Sequence, residues 1–195
     1  MMRESILLGL VLVLSTGLAA AQDMPLSQVL IEGEAWKQTV GGLWDMHAPL
    51  LPLPGIPRPT CMFASPDGGT IFIGSDVGKY VWAFRVEKDG SLTAGQPYCL
   101  LRCPSEKKDM PVTALTVDTA GRIYAATVMG IQVFDPTGRL CGVLECPKGG
   151  IVTGLKFGGS NLDRLMIIMR SAASLPSTDR LGFERKVKSR GVDSR

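Results

Sequence analysis

The 195-residue sequence holds a single histidine, His47, and no G-x-S-x-G elbow, so nucleophilic hydrolase chemistry of the Ser-His-Asp kind has almost nothing to work with. A zinc site is short of imidazoles for the same reason, and the five cysteines, spaced C-x3-C and C-x4-C around Cys99–Cys103 and Cys141–Cys146, do not follow finger spacing. Excess charge of one sign is also lacking. A net charge of +3 with no aromatic-interleaved basic groove gives no footprint of a nucleic-acid binder. Helical periodicity is weak throughout, which leaves short strands as the main signal. Apolar runs of membrane-spanning length are missing too: the longest uncharged one, Ile6 to Ala21, covers sixteen residues, below the roughly 20 that cross a bilayer.

That run is still meaningful. Arg3 precedes it and Ala19-Ala20-Ala21 ends it, the order of a cleavable export signal, and Gln22 stands where a lipoprotein would need Cys. The expectation is a signal peptide over 1–21 and an exported product, periplasmic or secreted, with no stable membrane anchor after cleavage. Residues 22–58 read as an N-terminal segment and connector. They hold one strand or helix start near VLIEGEAW (29–36), and HAPLLPLPGIPRP (47–59) carries five prolines that forbid a regular helix. An oxidising compartment permits disulfides. Cys61, Cys99, Cys103, Cys141 and Cys146 are odd in number, so at least one thiol stays free, and the choice between buried thiols in strands and one or two disulfides is open.

From 59 to 195 the texture is repetitive. MFASPDGGTIFIGS (62–75), LTVDTAGRIYAATV (115–128) and LKFGGSNLDRLMII (155–168) each bring an apolar approach, a turn rich in Asp, Gly or Asn, and an apolar strand. The first two continue into KYVWAFRV (79–86) and GIQVFD (130–135), turn at EKDG and DPTG, and run on into SLTAGQPY and RLCGVLEC. The repeats lie about 51 and about 40 residues apart, which suits blades of a β-propeller. FGGSN (157–161) is a blade turn in this reading, since no G-K-[ST] follows it. The fold class expected is all-β, a partial propeller of about three blades, the last closing through FERKVKSRGV (183–192). Three blades leave two open flanks, each expected to be apolar. Arg164 to Arg195 carries eight Lys or Arg against three Asp or Glu, read as a solvated final strand and tail.

These segments resemble the C-terminal half of the senescence-marker-protein, gluconolactonase and luciferin-regenerating-enzyme family. SPDGGTIFIGSD (65–76) is similar to its SPD-G-x-x-LY-x-x-D strand, and VWAFRVEKDGSL (81–92) to its following hairpin. VDTAGRIYAATVMGIQVFDPTGRLCGVLECP resembles its VD-x-x-G-x-(L/I)-(W/Y) segment, and VTGLKFGGSNLDRLMI (152–167) its TN-x-x-FGG turn. ERKVKSRGV is similar to the closing strand of bacterial members, and VLIEGEAW to the segment ahead of the first blade. The resemblance implies a six-bladed propeller that holds one divalent cation, commonly calcium, on its axis and hydrolyses sugar lactones. A cation of that kind polarises a carbonyl or lowers the pKa of a bound water, and it takes oxygen ligands.

The resemblance also shows what has been exchanged. Thr60 stands at the family's Asn ligand position, and Thr113 at the Asp that serves as ligand and candidate base, with Ala114 in place of the following Gly. Gly154 replaces the Asn of the TN-x-x-FGG turn while Thr153 is kept. The Glu of the family's first blade has no counterpart, since about two dozen residues separate VLIEGEAW from Pro59 where the family has three blades. A threonine hydroxyl is a neutral, weak ligand and no general base near neutral pH. Asp118 is read as a turn residue that accepts backbone hydrogen bonds. The expectations are therefore no catalytic residue, no metal site and no cofactor for this chain alone. The functional reading is an exported, degenerate gluconolactonase-like protein. Its alternative is a calcium-dependent lactone hydrolase active only when a homodimer or a partner chain completes the ring. Substrate, oligomeric state, cysteine pairing and the choice between a remnant and a working short form are left open by the sequence.

Overall fold

A computed structural model describes residues 25–39, 55–171 and 180–188. The expected signal peptide, His47 and most of the Pro-rich connector lie outside these residues. The described chain is built from strands and a single turn of 3-10 helix, Leu26–Gln28. In chain order the strands are β1 (Lys37–Thr39), β2 (Pro59–Ala64), β3 (Thr70–Ser75), β4 (Tyr80–Val86), β5 (Leu92–Leu100), β6 (Ala114–Val117), β7 (Ile123–Thr127), β8 (Gly130–Phe134), β9 (Leu140–Leu144), β10 (Gly150–Gly158), β11 (Arg164–Ser171) and β12 (Arg180–Lys186). They form three four-stranded antiparallel sheets, ordered β2-β3-β4-β5, β6-β7-β8-β9 and β10-β11-β12-β1.

Turn chemistry explains why each repeat folds on itself. In the first, Asp67 accepts from the Gly69 amide and the Ser65 hydroxyl. In the second, Asp118 Oδ1 accepts from the amides of Ala120 and Arg122. Asp135 takes the amides of Thr137 and Arg139, and Gly138 closes that turn at φ 84°, a conformation that glycine, lacking a Cβ, adopts without the strain an L side chain would bring. Each carboxylate thus folds its own loop and fixes the register of the hairpin beside it.

Side-chain alternation then sorts the faces. The first and second sheets meet over Phe72, Val81, Ala83 and Cys99 on one side and Leu115, Val117, Ile123, Ala125 and Phe134 on the other. Tyr124, Val133 and Leu144 of the second sheet meet Leu155, Phe157, Leu165 and Ile167 of the third, with Tyr124 edge-on to Phe157 at 5.0 Å. Gly74 is required by close approach: a Cβ there would sit 2.7 Å from both Cys61 Sγ and a Val112 methyl. β6 lies between β2 and β10, so these three strands line one side of the stack as its inner edge.

Two expectations change. The outermost strand of the third sheet comes from the N-terminal side: Lys37, Gln38 and Thr39 pair with Glu184, Phe183 and Gly182. Of FERKVKSRGV, residues 183–186 lie in a strand and Val187 makes a single bridge to Leu30, while 189–192 lie outside the described residues. β12 has backbone groups to satisfy on its far side, and β1 supplies them. The flanks also differ from each other. The outer face of the first sheet is apolar, with the rows Met62–Ile73–Trp82–Pro97 and Ala64–Ile71–Phe84. The outer face of the third sheet is charged, with the row Lys156–Met166–Glu184–Lys37 beside Arg164 and Lys186.

Candidate functional site: the inner-strand threonines

The residues singled out from the sequence fall at equivalent places. Thr60 lies in the second position of β2, Thr113 immediately before β6, and Thr153 near the start of β10. Thr60 and Thr153 each coincide with a register irregularity in their strand, the kind of bulge that re-aims a side chain. Thr60 donates its hydroxyl to the Val112 carbonyl at 2.5 Å, and Thr113 donates to the Val152 carbonyl at 2.6 Å. Both bonds cross from one sheet to the next. Thr153 has only a long contact to Ile168 within its own sheet, at 3.4 Å.

Two residues before Thr60, Arg58 pairs with Asp76 at 2.9 Å, and the thiols are neutral. Cys61, beside Thr60, has its thiol pushed up to about 11 by burial, so it is not a thiolate near neutral pH. Cys146 is pushed up to about 11 as well, and burial raises Cys99 further still. None of the five cysteines is joined in a disulfide. Among the described residues no group of three or more His, Cys, Asp or Glu stands close enough to hold a metal ion.

The buried charge sits elsewhere, in the β6–β7 turn. Arg122 and Asp118 form an ion pair at 2.6 Å with side chains almost fully buried. Tyr124 donates its phenol to Asp118 Oδ2, and Arg122 donates to the carbonyls of Gln28 and Lys188. Burial pushes the Asp118 carboxyl up, and the Arg122 guanidinium, the Arg122 amide and the Tyr124 phenol pull it back without cancelling the rise. The group acts as a knot that ties the two ends of the third sheet's last pairing to the second sheet. Sequence reasoning assigned Asp118 to its turn but missed Arg122, whose partners lie 94 and 66 residues away. It also missed Gln132, which copies a strand partner by exchanging bonds with the backbone of Arg102. A usable signal for the threonine row was present: VTAL at 112–115 and VTGL at 152–155 repeat it.

Residues 52–171 match the family model of the SMP-30/gluconolactonase/LRE-like region. The chain belongs to this family. Solved structures show the same fold. A gluconolactonase from Xanthomonas campestris superposes with TM-score 0.53 at 21% identity, over 73% of this chain and 42% of that one. A luciferin-regenerating enzyme gives 0.55 at 17%, over 70% and 48%. A calcium-binding regucalcin from Agrobacterium tumefaciens gives 0.56 at 21%, over 69% and 48%. The chain thus spans a little under half the length of these structures. No curated protein matches it.

Calcium, which the regucalcin binds, is the ion to test against this site. Ca²⁺ takes six to eight oxygen ligands with carboxylates to offset its charge. The row offers three hydroxyls. Two of them already point their protons at carbonyl oxygens, which fixes each hydroxyl toward the neighbouring sheet. The donor set does not fit a divalent cation.

Proposed function

We propose that this chain is an exported member of the SMP-30/gluconolactonase/LRE-like family without lactonase chemistry of its own, working as a binding or assembly module built on propeller blades. The observation that carries the reading is the engagement of Thr60 and Thr113 with the carbonyls of the adjacent sheets. Groups at these positions would have to gather charge around an ion or take a proton from water, and a hydroxyl tied to a carbonyl does neither. The apolar start of the sequence supports the export reading.

The second reading is a lactone hydrolase whose ring is completed by another chain that brings the carboxylates. Family membership and coverage of under half of the solved relatives favour keeping it. In a ring of two copies, the apolar outer face of each first sheet would press on the charged outer face of each third sheet. Burying Lys156, Glu184, Arg164 and Lys186 against Met62 and Trp82 costs more than the contact returns. A completing partner would have to be a different chain, one that offers an apolar face to the first sheet and a polar, charge-matched face to the third.

Calorimetric titration of the exported chain with Ca²⁺, followed by a sugar-lactone hydrolysis assay, separates the two. No heat of binding and no turnover are expected. Saturable calcium binding together with turnover by the chain alone would overturn the proposal.

A further inference from the structure

We infer that the inner-strand threonines form a hydrogen-bonded seam that holds neighbouring blades together where a cation would otherwise tie them, so that the stacking of the sheets is independent of divalent metal. The inference deepens the reading of a neutral axis and rests on it.

The geometry repeats. In each bond the acceptor is the residue just before the next threonine: Thr60 reaches Val112, which precedes Thr113, and Thr113 reaches Val152, which precedes Thr153. In the second sheet Thr113 therefore gives to the sheet that follows, while its chain neighbour Val112 accepts from the sheet before. Val112 is buried, and its amide is already bound to the Ser75 carbonyl of the first sheet at 2.9 Å. Its backbone is thus gripped on both sides, by Ser75 through N–H and by Thr60 through C=O. Apart from Thr60, the Val112 carbonyl has only the weak Cys61 thiol, at 3.9 Å. A valine at position 60 would keep the shape and leave that carbonyl without a proper donor, the costly case for a buried polar group.

The series ends where the sheets end. Thr153 has no following sheet among the described residues, and its hydroxyl settles for the 3.4 Å contact to Ile168. Three threonines of the same type in the same place thus differ in a way that a test can read. A purely local role, such as bulge propensity or solvent-facing polarity, would make them alike.

The test is a set of thermal melts on the full chain. Thr60→Val and Thr113→Val are each expected to lower Tm by about 4 °C. Thr60→Ser, which keeps the hydroxyl, and Thr153→Val, which removes only the long contact, should stay within about 1 °C of the parent. Calcium chloride or EDTA should leave Tm unmoved, since an ion that does not bind the folded state cannot stabilise it. Should Thr60→Val fail to fold while Thr60→Ser folds, the seam is supported in its stronger form. Equal losses for Thr153→Val and Thr60→Val, no loss for the two seam variants, or a Tm raised by calcium would overturn it. Lactone turnover with the Tm pattern intact would defeat the functional reading alone, and a flat Tm series without turnover would defeat the seam alone.

Discussion

The first and third sheets are built from the same repeat, yet they finish differently. The outer face of the first sheet carries Met62, Ile71, Ile73, Trp82 and Phe84, with Tyr80 and Leu100 at its margin. Ile73 in its centre is 0% exposed, while Met62, Tyr80 and Leu100 are 41%, 41% and 57% exposed. The outer face of the third sheet bears Lys37, Lys156, Glu184, Arg164 and Lys186, with ion pairs Arg164–Glu184 at 2.7 Å and Lys186–Asp163 at 3.8 Å. Exposed pairs of this sort contribute little stability. Their value is that they make a sheet face compatible with water. One end of the stack keeps the chemistry of an internal blade, and the other has the chemistry of a terminus. The stack therefore has a direction, which the threonine row shares.

The largest effect should come from undoing what fastens the third sheet. Arg122→Ala would strand the buried Asp118 carboxylate and release the Gln28 and Lys188 carbonyls. A loss of roughly 3–5 kcal/mol is expected, measured as a lower urea midpoint at unchanged slope. If the loss is below about 1 kcal/mol, the knot is not what holds Gln28 and Lys188 to the second sheet.

A direct comparison of the two faces comes next. Ile73→Lys should cost roughly 3 kcal/mol, because it puts a charge at a fully buried point of an apolar face. Met166→Lys, on the matching strand of the third sheet between Lys156 and Glu184, should cost less than about 1 kcal/mol. Equal costs would erase the distinction between the faces.

The mildest prediction concerns acid. Hydrogen bonds from Ser65, Thr93 and Ser91 hold Asp67, Glu87 and Asp89 of the first sheet below their ordinary values. Burial works against the same effect at Asp135 of the second sheet, but its bonds from Thr137 and Arg139 prevail and the net shift is downward. A lowered folded-state pKa means that the contribution is complete above the ordinary values of 3.8 and 4.5 and fades as pH falls through the depressed ones. Asp118 runs the other way: its raised pKa gives a contribution that is present below 3.8 and declines as pH rises through the raised value. The first sheet should therefore loosen below about pH 4 before the second, where Asp118 opposes the loss, seen as earlier amide exchange in 65–100 than in 115–139. Simultaneous exchange in the two would contradict this. A buried hydroxyl with no partner, Thr116 Oγ1, offers a small gain: Thr116→Val should raise stability by about 1 kcal/mol.

What was legible in the sequence was local. SPDGG, VDTAG and DPTG announce their turns because Asp, Gly and Pro act on residues two to four away, and the strands between them follow by alternation. The family segments were legible for the same reason, since they are strings of such turns. What required the folded chain was long-range. KQT at 37–39 has neither length nor pattern to mark it as the edge strand that β12 needs. The bond from Thr60 to Val112 spans 52 residues and depends on how closely two sheets approach. The charged outer face of the third sheet stood in plain view as Lys156, Arg164, Glu184 and Lys186, but only the register shows that these side chains share a side.

The placement of β1 bears on how such a chain is made. Its three residues leave the ribosome early, yet their partners in β12 emerge about 145 residues later. Until then the strand has nowhere to go, and contacts of such wide sequence separation slow folding. The third sheet can therefore be sealed only once β12 has been made and is free to take β1 along its far side, so that one of the first strands synthesised is among the last to find its place.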